Sequence, residues 1–193
     1  MNLRPVFITI CAAWLIGCAV PRTSAPASSG TGVAAVLQPT RGNNVTGTVW
    51  FVQDGPVVDV RGRVSGLTPN QEHGFHVHEK GDCSSVDAMS AGEHLNPKAK
   101  PHGPPEGEHH AGDLPALKAD AKGEASVHAR VAGTVLGSGA GDLAGKALVV
   151  HARPDDYATQ PSGNSGARIA CGVISTTSGR DAAGNPIQVP KDL

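Results

Sequence analysis

Six histidines and one aspartate are the residues of this chain most suited to chemistry, because they offer far more metal-binding capacity than a small domain carries by chance. They are His76, His78, His94, His102, His110, Asp113 and His151. His76 and His78 lie two residues apart, and on an extended strand such residues point to the same face. Both imidazoles can therefore reach one ion, and the pair predicts a first metal site.

A second metal site is predicted by three evenly spaced histidines and a carboxylate. Seven residues separate His94 from His102 and seven more separate His102 from His110, and Asp113 follows after another two. The segment is rich in glycine and proline, which is typical of a loop. We interpret it as a loop folded around a second ion.

Eight short motifs follow one another along the chain. They are Gly-Phe-His-Val-His (74–78), Gly-Asp-Cys-Ser (81–84), His-Leu-Asn-Pro (94–97), His-Gly (102–103), His-Ala-Gly-Asp-Leu (110–114), Val-Val-His (149–151), Pro-Asp-Asp-Tyr (154–157) and Gly-Asn-Ser-Gly-Ala-Arg-Ile-Ala-Cys-Gly-Val-Ile (163–174). In this order they resemble the copper/zinc superoxide dismutases, and most of all the bacterial secreted branch. The resemblance extends over residues 32–175.

The resemblance implies one copper and one zinc per chain. The copper ligands would be four histidines: His76, His78, His94 and His151. The zinc ligands would share one of these and comprise His94, His102, His110 and Asp113. His94 would then bridge the two ions as an imidazolate, which two flanking dications favour. Imidazoles suit the tetragonal preference of Cu(II), and three nitrogens with a carboxylate suit tetrahedral zinc.

Two further residues acquire roles from the resemblance. Asp155 matches a carboxylate that links a copper histidine to a zinc histidine and orients both rings; the alternative is a turn or cap carboxylate. Arg168 matches an arginine that docks the anionic substrate, since a guanidinium supplies a permanent charge with paired donors; the alternative is a surface salt bridge. Lys80 is a candidate for additional steering, because the loop at 152–167 contains Arg153 but no lysine.

Three other histidines, His73, His109 and His128, are not expected to bind the ions. His110 is preferred to its neighbour His109 because the family ligand directly precedes the x-Gly-Asp motif.

The predicted reaction converts two superoxide anions and two protons into dioxygen and hydrogen peroxide. The resemblance implies that copper exchanges the electrons, that the His94 imidazole carries one proton, and that zinc is structural. A non-catalytic metal buffer on the same fold would be expected to lack a copper ligand or the arginine. A binuclear zinc hydrolase would need a free carboxylate base, whereas Asp113 is used as a ligand.

The fold is predicted to be all-β. Extended segments are expected at 33–37, 47–53, 57–64, the His-x-His stretch, 124–131, 147–152 and 169–174, with 114–119 as a weaker eighth. No segment longer than two turns has a helical apolar period. The resemblance sharpens this to an eight-stranded antiparallel Greek-key sandwich or flattened barrel with two long functional loops, at 80–113 and 152–168.

Residues 1–17 are predicted to be a bacterial lipoprotein signal peptide, with Arg4 before an apolar run too short to span a bilayer. The segment at 15–18 resembles a lipobox, so Cys18 would be acylated; the alternative is an ordinary signal cleaved near Ser24. Residues 18–31 would form a flexible tether, 32–175 the single dismutase domain and 176–193 a polar tail. Export to the periplasm or cell envelope follows, with membrane contact only through the lipid.

The formal net charge of −1 argues against a nucleic-acid partner or a polybasic membrane footprint. With Cys11 and Cys18 assigned to the signal, Cys83 and Cys171 remain. A lone pair of cysteines in an exported domain predicts a disulfide; the alternatives are free thiols or soft metal ligands. The expected state is a monomer or a homodimer.

Overall fold

The computed structural model describes residues 32–175. The predicted signal peptide, Cys18, the tether and the C-terminal tail lie outside the described residues. Nine strands are present: β1 (Gly32–Pro39), β2 (Thr46–Asp54), β3 (Val57–Ser65), β4 (Glu72–His73), β5 (Phe75–His78), β6 (Leu117–Lys118), β7 (Ala125–Ala132), β8 (Ala147–His151) and β9 (Arg168–Val173). One 3-10 turn, Met89–Ala91, is the helical element of this part of the chain. Residues 32–175 hold no helix long and apolar enough to cross a membrane.

Seven strands form one curled antiparallel sheet in the order β5-β8-β9-β1-β2-β3-β7, and β4 pairs separately with β6. Only Gly74 separates β4 from β5, so the nine segments correspond to the eight strands that were predicted. The all-β prediction is confirmed. Neighbours that are distant in sequence, such as β1 with β9 and β5 with β8, require the long connections typical of Greek-key folds. Within residues 32–175 no strand pairing joins β6 to β7, so the sheet forms an incomplete barrel.

The hairpin of β2 and β3 shows why the sequence adopts this sheet. Asp54 pairs with Val57 across a two-residue turn in which Gly55 has a positive φ of 58°. Glycine adopts that conformation without steric cost. Along β2 the buried side chains are Val49 and Phe51, and the residues that alternate with them, Thr48, Trp50 and Val52, are only partly buried. The low aromatic content leaves a core built mainly from valine, leucine, isoleucine and alanine.

Strands β5 and β8 differ from this pattern because all their residues are buried. Phe75 and Val77 belong to the hydrophobic core, so His76 and His78 point to the opposite face of the sheet. Loops 79–116 and 152–167 connect the strands in this region. The alternation that buries apolar residues therefore also places two imidazoles beneath these loops.

A disulfide joins Cys83 to Cys171, as predicted, with 5.8 Å between the two Cα atoms. It ties the loop that follows β5 to strand β9. A small apolar cluster surrounds it, comprising Ala88, Ala91, Ala147, Val149 and Cys171. The loop is thereby fixed over the outer face of β8 and β9, next to the histidines.

Candidate metal centre

The seven predicted ligand side chains lie together and are all buried. Their residues are His76, His78, His94, His102, His110, Asp113 and His151, none more than 5% exposed. His76 and His78 are on β5 and His151 ends β8, whereas the other four are on the loop after β5. The structure brings every member of both predicted sets into one buried region.

Backbone hydrogen bonds hold the ligand loop against β5. The Val77 N–H donates to the carbonyl of Gly112 (2.8 Å), and the Val77 carbonyl accepts from the Leu95 N–H (2.8 Å). A Cβ atom at position 112 would lie 2.1 Å from the Val77 carbonyl oxygen, so only glycine permits this approach. His94 and Asp113, which adjoin these contacts, are consequently placed beside His78 and His76.

The first group consists of four histidines, each offering a ring nitrogen within 4.8 Å of the others: His76, His78, His94 and His151. The Nδ1 of His78 bonds to the Gly92 carbonyl (2.9 Å), and the Nδ1 of His151 bonds to the Gly166 carbonyl (3.2 Å). A nitrogen facing a carbonyl must carry the proton, so Nε2 of each neutral ring keeps its lone pair. These two Nε2 atoms are 3.4 Å apart. The Nδ1 of His76 and the Nε2 of His94 are buried without a hydrogen-bond partner.

The second group comprises His94, His102, His110 and Asp113. The Asp113 carboxylate lies 2.8 Å from Nδ1 of His94, 3.0 Å from Nδ1 of His102 and 3.2 Å from Nδ1 of His110. The contact with His102 lacks the orientation of a hydrogen bond. Three imidazole nitrogens and one carboxylate thus face a common point, which is the donor set that zinc prefers.

Asp155 connects the two groups. One carboxylate oxygen is 2.6 Å from Nε2 of His76, and the other is 2.8 Å from Nε2 of His102. The Tyr157 N–H donates to the same carboxylate (2.8 Å). A Cβ at Gly163, where φ is 64°, would lie 1.9 Å from the Asp155 oxygen and 2.5 Å from the His102 ring. Glycine at 163 is therefore required for this carboxylate to reach both rings.

Burial and hydrogen bonding set the charges of the centre. Burial lowers the pKa of His76 to about 4 and that of His78 to about 2. Burial alone would raise the pKa of Asp113 and Asp155, but hydrogen bonds from the histidines outweigh it and hold both well below their usual range. Burial opposes protonation of His102, yet its two carboxylate partners raise its pKa to about 9. Neutral imidazoles and ionised carboxylates are the forms that bind divalent ions, so His76, His78 and the two aspartates are already in that form, whereas His102 must release a proton when an ion binds.

Arg168, at the start of β9, is half-buried beside the first group. Its Nη1 donates to the Ala88 carbonyl and its Nη2 to the Gly92 carbonyl, both at 2.7 Å. Burial lowers its pKa, but an arginine remains a cation in a protein. Within residues 32–175 its guanidinium forms no ion pair with a carboxylate, which disfavours the surface salt-bridge alternative.

The remaining histidines lie outside both groups. His128 is exposed on the outer face of β7, and His109 is half-buried with its Nδ1 2.7 Å from the His110 carbonyl. His73 is fully buried, and its Nδ1 donates to the carbonyl of His151 (2.8 Å). This hydrogen bond supports the end of β8, where His151 lies, and the sequence does not predict it. The only feature of the sequence that points to a role for His73 is its position three residues before His76. Lys80 is exposed, with its Nζ 3.9 Å from Glu79.

A curled antiparallel β-sheet with two adjacent ligand groups that share one histidine defines a binuclear metalloprotein. Residues 45–174 match the family model of copper/zinc superoxide dismutase, and the chain belongs to this family. It is therefore an oxidoreductase whose cofactors are copper and zinc and whose substrate is superoxide.

Curated relatives are similar over most of the domain. Superoxide dismutase [Cu-Zn] 2 of Mesembryanthemum crystallinum is 44% identical over 140 residues, which cover 68% of this chain and 88% of the relative. The protein of the same name from Aquifex aeolicus (strain VF5) is 41% identical over 136 residues, covering 67% and 79%. The crystal structure of a SOD-like protein from Bacillus subtilis superposes with a TM-score of 0.66 at 38% identity, covering 73% of this chain and 97% of that one.

Proposed function

We propose that the first group, His76, His78, His94 and His151, holds copper, and that His94, His102, His110 and Asp113 hold zinc. The observation that carries the proposal is that three of the six ligand histidines have a buried ring nitrogen without a hydrogen-bond partner: Nδ1 of His76, Nε2 of His94 and Nδ1 of His102. Nε2 of His73 and Nε1 of Trp50 are also unpaired, but neither residue belongs to a ligand group. A buried polar atom left unpaired is costly, and a metal ion would satisfy each of the three ligand nitrogens. The donor types also fit the two metals.

His94 is proposed to bridge the ions as an imidazolate. It belongs to both groups, with Nδ1 beside Asp113 and Nε2 unpaired. Copper, when bound, supplies the one-electron exchange with superoxide. The His94 ring can take up a proton at Nε2 and release it to the reduced product, so one residue serves as ligand and proton carrier. Asp155 holds the His76 and His102 rings in a fixed orientation.

Arg168 is proposed to dock the superoxide anion. Its guanidinium is held at the edge of the first group by two carbonyls and has no carboxylate partner in the described part of the chain. Glu93 and Asp87 attract it only from beyond ion-pair distance, so its positive charge is available to an anion.

The proposed setting is the cell envelope, which the enzyme would protect from superoxide. Export would remove residues 1–17 and leave acylated Cys18 as the anchor, followed by the tether to residue 31. Arg4 followed by the apolar run from Val6 to Gly17 supports the signal, and the lipobox-like segment at 15–18 supports the lipid. The protein is proposed to act as a monomer or a homodimer.

Metal loading combined with a superoxide-consumption assay tests this function. Metal-depleted protein should take up about one copper and one zinc per chain, and superoxide consumption should appear only when copper is present. Failure to load the two metals in equal amounts would overturn the ligand assignment.

A further inference from the structure

We infer that Gln160 is a positioning residue for the zinc site, because it clamps the backbone of His102. The His102 N–H donates to Oε1 of Gln160 (2.8 Å), and Nε2 of Gln160 donates to the His102 carbonyl (2.9 Å). One side-chain amide thus satisfies both backbone polar groups of a single residue. The inference rests on the proposed assignment of His102 to zinc.

A hydrogen-bonded turn presents Gln160 to His102. The Asp156 carboxylate accepts from the backbone N–H groups of Ala158 and Thr159 (3.0 and 2.8 Å) and from the Thr159 hydroxyl (2.6 Å). The Thr159 carbonyl accepts from the Gly163 N–H (2.7 Å). These bonds fix the conformation of the backbone on both sides of Gln160. The side-chain amide of Gln160 is therefore oriented toward His102 without any bound metal.

The backbone at His102 has few other restraints. No strand is present between the 3-10 turn that ends at residue 91 and β6, which begins at residue 117. The Gly103 N–H makes only a long contact of 3.4 Å with Asp113. Without the Gln160 clamp, the His102 backbone would have to exchange these bonds for water. Its ring would then be held only by the hydrogen bond with Asp155 and, in the loaded protein, by zinc.

Two parts of His102 are therefore held by one loop. Asp155 bonds to its ring and Gln160 to its backbone, and both belong to the segment between β8 and β9. Residues that orient a metal ligand without touching the metal commonly change metal retention by about 10- to 100-fold when they are substituted. Gln160 acts one bond further away, through the main chain, so an effect near the lower end of that range is expected.

The rate of zinc transfer to a chromogenic chelator tests the inference in the fully loaded protein. Gln160→Ala should release zinc on the order of tenfold faster than the parent, with copper content unchanged. Gln71→Ala is the matched control, because Gln71 is also exposed and its side-chain amide makes no hydrogen bond within residues 32–175. Equal zinc release from Gln160→Ala and Gln71→Ala would overturn the inference.

Gln160→Glu distinguishes the clamp from a general need for a long polar side chain. Glutamate can accept from the His102 N–H, but its second oxygen would face the His102 carbonyl without a proton to donate. Zinc should therefore be lost at least as fast as from Gln160→Ala, and rescue by glutamate would contradict the two-point clamp.

Cobalt(II) in the zinc site and His102→Ala complete the test. Loss of the clamp should alter the visible absorption of bound cobalt, whereas a loop change that leaves the ligand in place would not. His102→Ala should bind little zinc. If His102→Ala keeps zinc, the ligand assignment fails; if it loses zinc while Gln160→Ala behaves as the control, only the Gln160 inference fails.

Discussion

Arg168 and His78 donate to the same acceptor, the carbonyl oxygen of Gly92, at 2.7 and 2.9 Å. The guanidinium proposed to bind the anion is thus tied to the same backbone atom as a proposed copper ligand. A change that moves the Gly92 carbonyl would move both groups together. The disulfide helps to fix this arrangement, since Cys171 lies three residues after Arg168 and Cys83 lies in the same loop as Gly92.

Arg168→Ala should lower the second-order rate of superoxide consumption by about one to two orders of magnitude, a range known for electrostatically steered enzymes, superoxide dismutases among them. The rate should also depend less steeply on salt, because the attraction that salt screens has been removed. Stopped-flow or pulse-radiolysis rates at several ionic strengths measure both effects. Arg63→Ala, which removes an exposed arginine from β3, is the matched control. An unaltered rate at low ionic strength in fully metallated Arg168→Ala would remove Arg168 from the active site.

His76→Ala and His151→Ala should each lose copper and activity while keeping zinc. Each variant removes a ring from the first group and leaves the second group complete. Metal content by mass spectrometry, together with the superoxide assay, measures the result. His128→Ala should retain both ions, because His128 is exposed on β7, at the opposite end of the sheet from β5. His73→Ala should also retain both ions, although loss of its bond to His151 is expected to reduce stability. Full copper occupancy in His76→Ala would exclude that ligand.

Loss of the disulfide should strongly destabilise the domain. The two cysteines are 88 positions apart. Closing a loop of this size lowers the conformational entropy of the unfolded chain, which raises the free energy of unfolding by about 4 to 5 kcal/mol. Denaturant unfolding of Cys83→Ser/Cys171→Ser, compared with the oxidised parent, measures the difference. Peptide mapping of fresh non-reduced protein checks the bond itself, and two free thiols would disprove it.

The metal-free protein should become less stable as the pH falls from about 6.5 to about 4. The pKa of His76 is lowered to about 4 in the folded protein, mainly by burial, so the unfolded chain takes up a proton first and stability is lost across this interval. His102 has a raised pKa of about 9, so its stabilising contribution grows as the pH falls from about 9 to about 6.5 and changes little below that. Urea unfolding at each pH should give a shallower dependence for His76→Ala. Equal slopes for the two metal-free proteins would contradict the assignment.

Cys18→Ser should abolish both lipoprotein processing and membrane attachment, because acylation at residue 18 is the proposed anchor. Several acyl chains anchor a protein firmly, whereas one chain alone binds weakly. Radiolabelled fatty acid incorporation and membrane fractionation of cells provide the measurement. Cys11→Ser, a cysteine within the predicted signal, is the control. A processed, membrane-bound Cys18→Ser protein would rule out the mechanism.

Much of the fold and of the ligand groups could be predicted from local sequence. The spacing of His76 and His78 places both on one strand face, and the β-branched segments predict the strands of the sheet with boundaries displaced by at most two residues, except at β6, where the predicted segment begins three residues early. Cys83 and Cys171 could be paired because no other cysteine lies in the described domain. Each of these inferences depends on periodicity, composition or a small number of possible partners.

Other relationships exist only after the loops close over the sheet. Asp155 reaches His76 across 79 positions and His102 across 53, and Gln160 reaches the backbone of His102 across 58. The acceptor shared by Arg168 and His78 is a backbone carbonyl, which every residue has and which no side-chain pattern marks. Sequence determined which residues could bind metal and form strands, whereas tertiary structure decided which backbone groups and distant side chains orient them, because hydrogen bonding depends on separation in space.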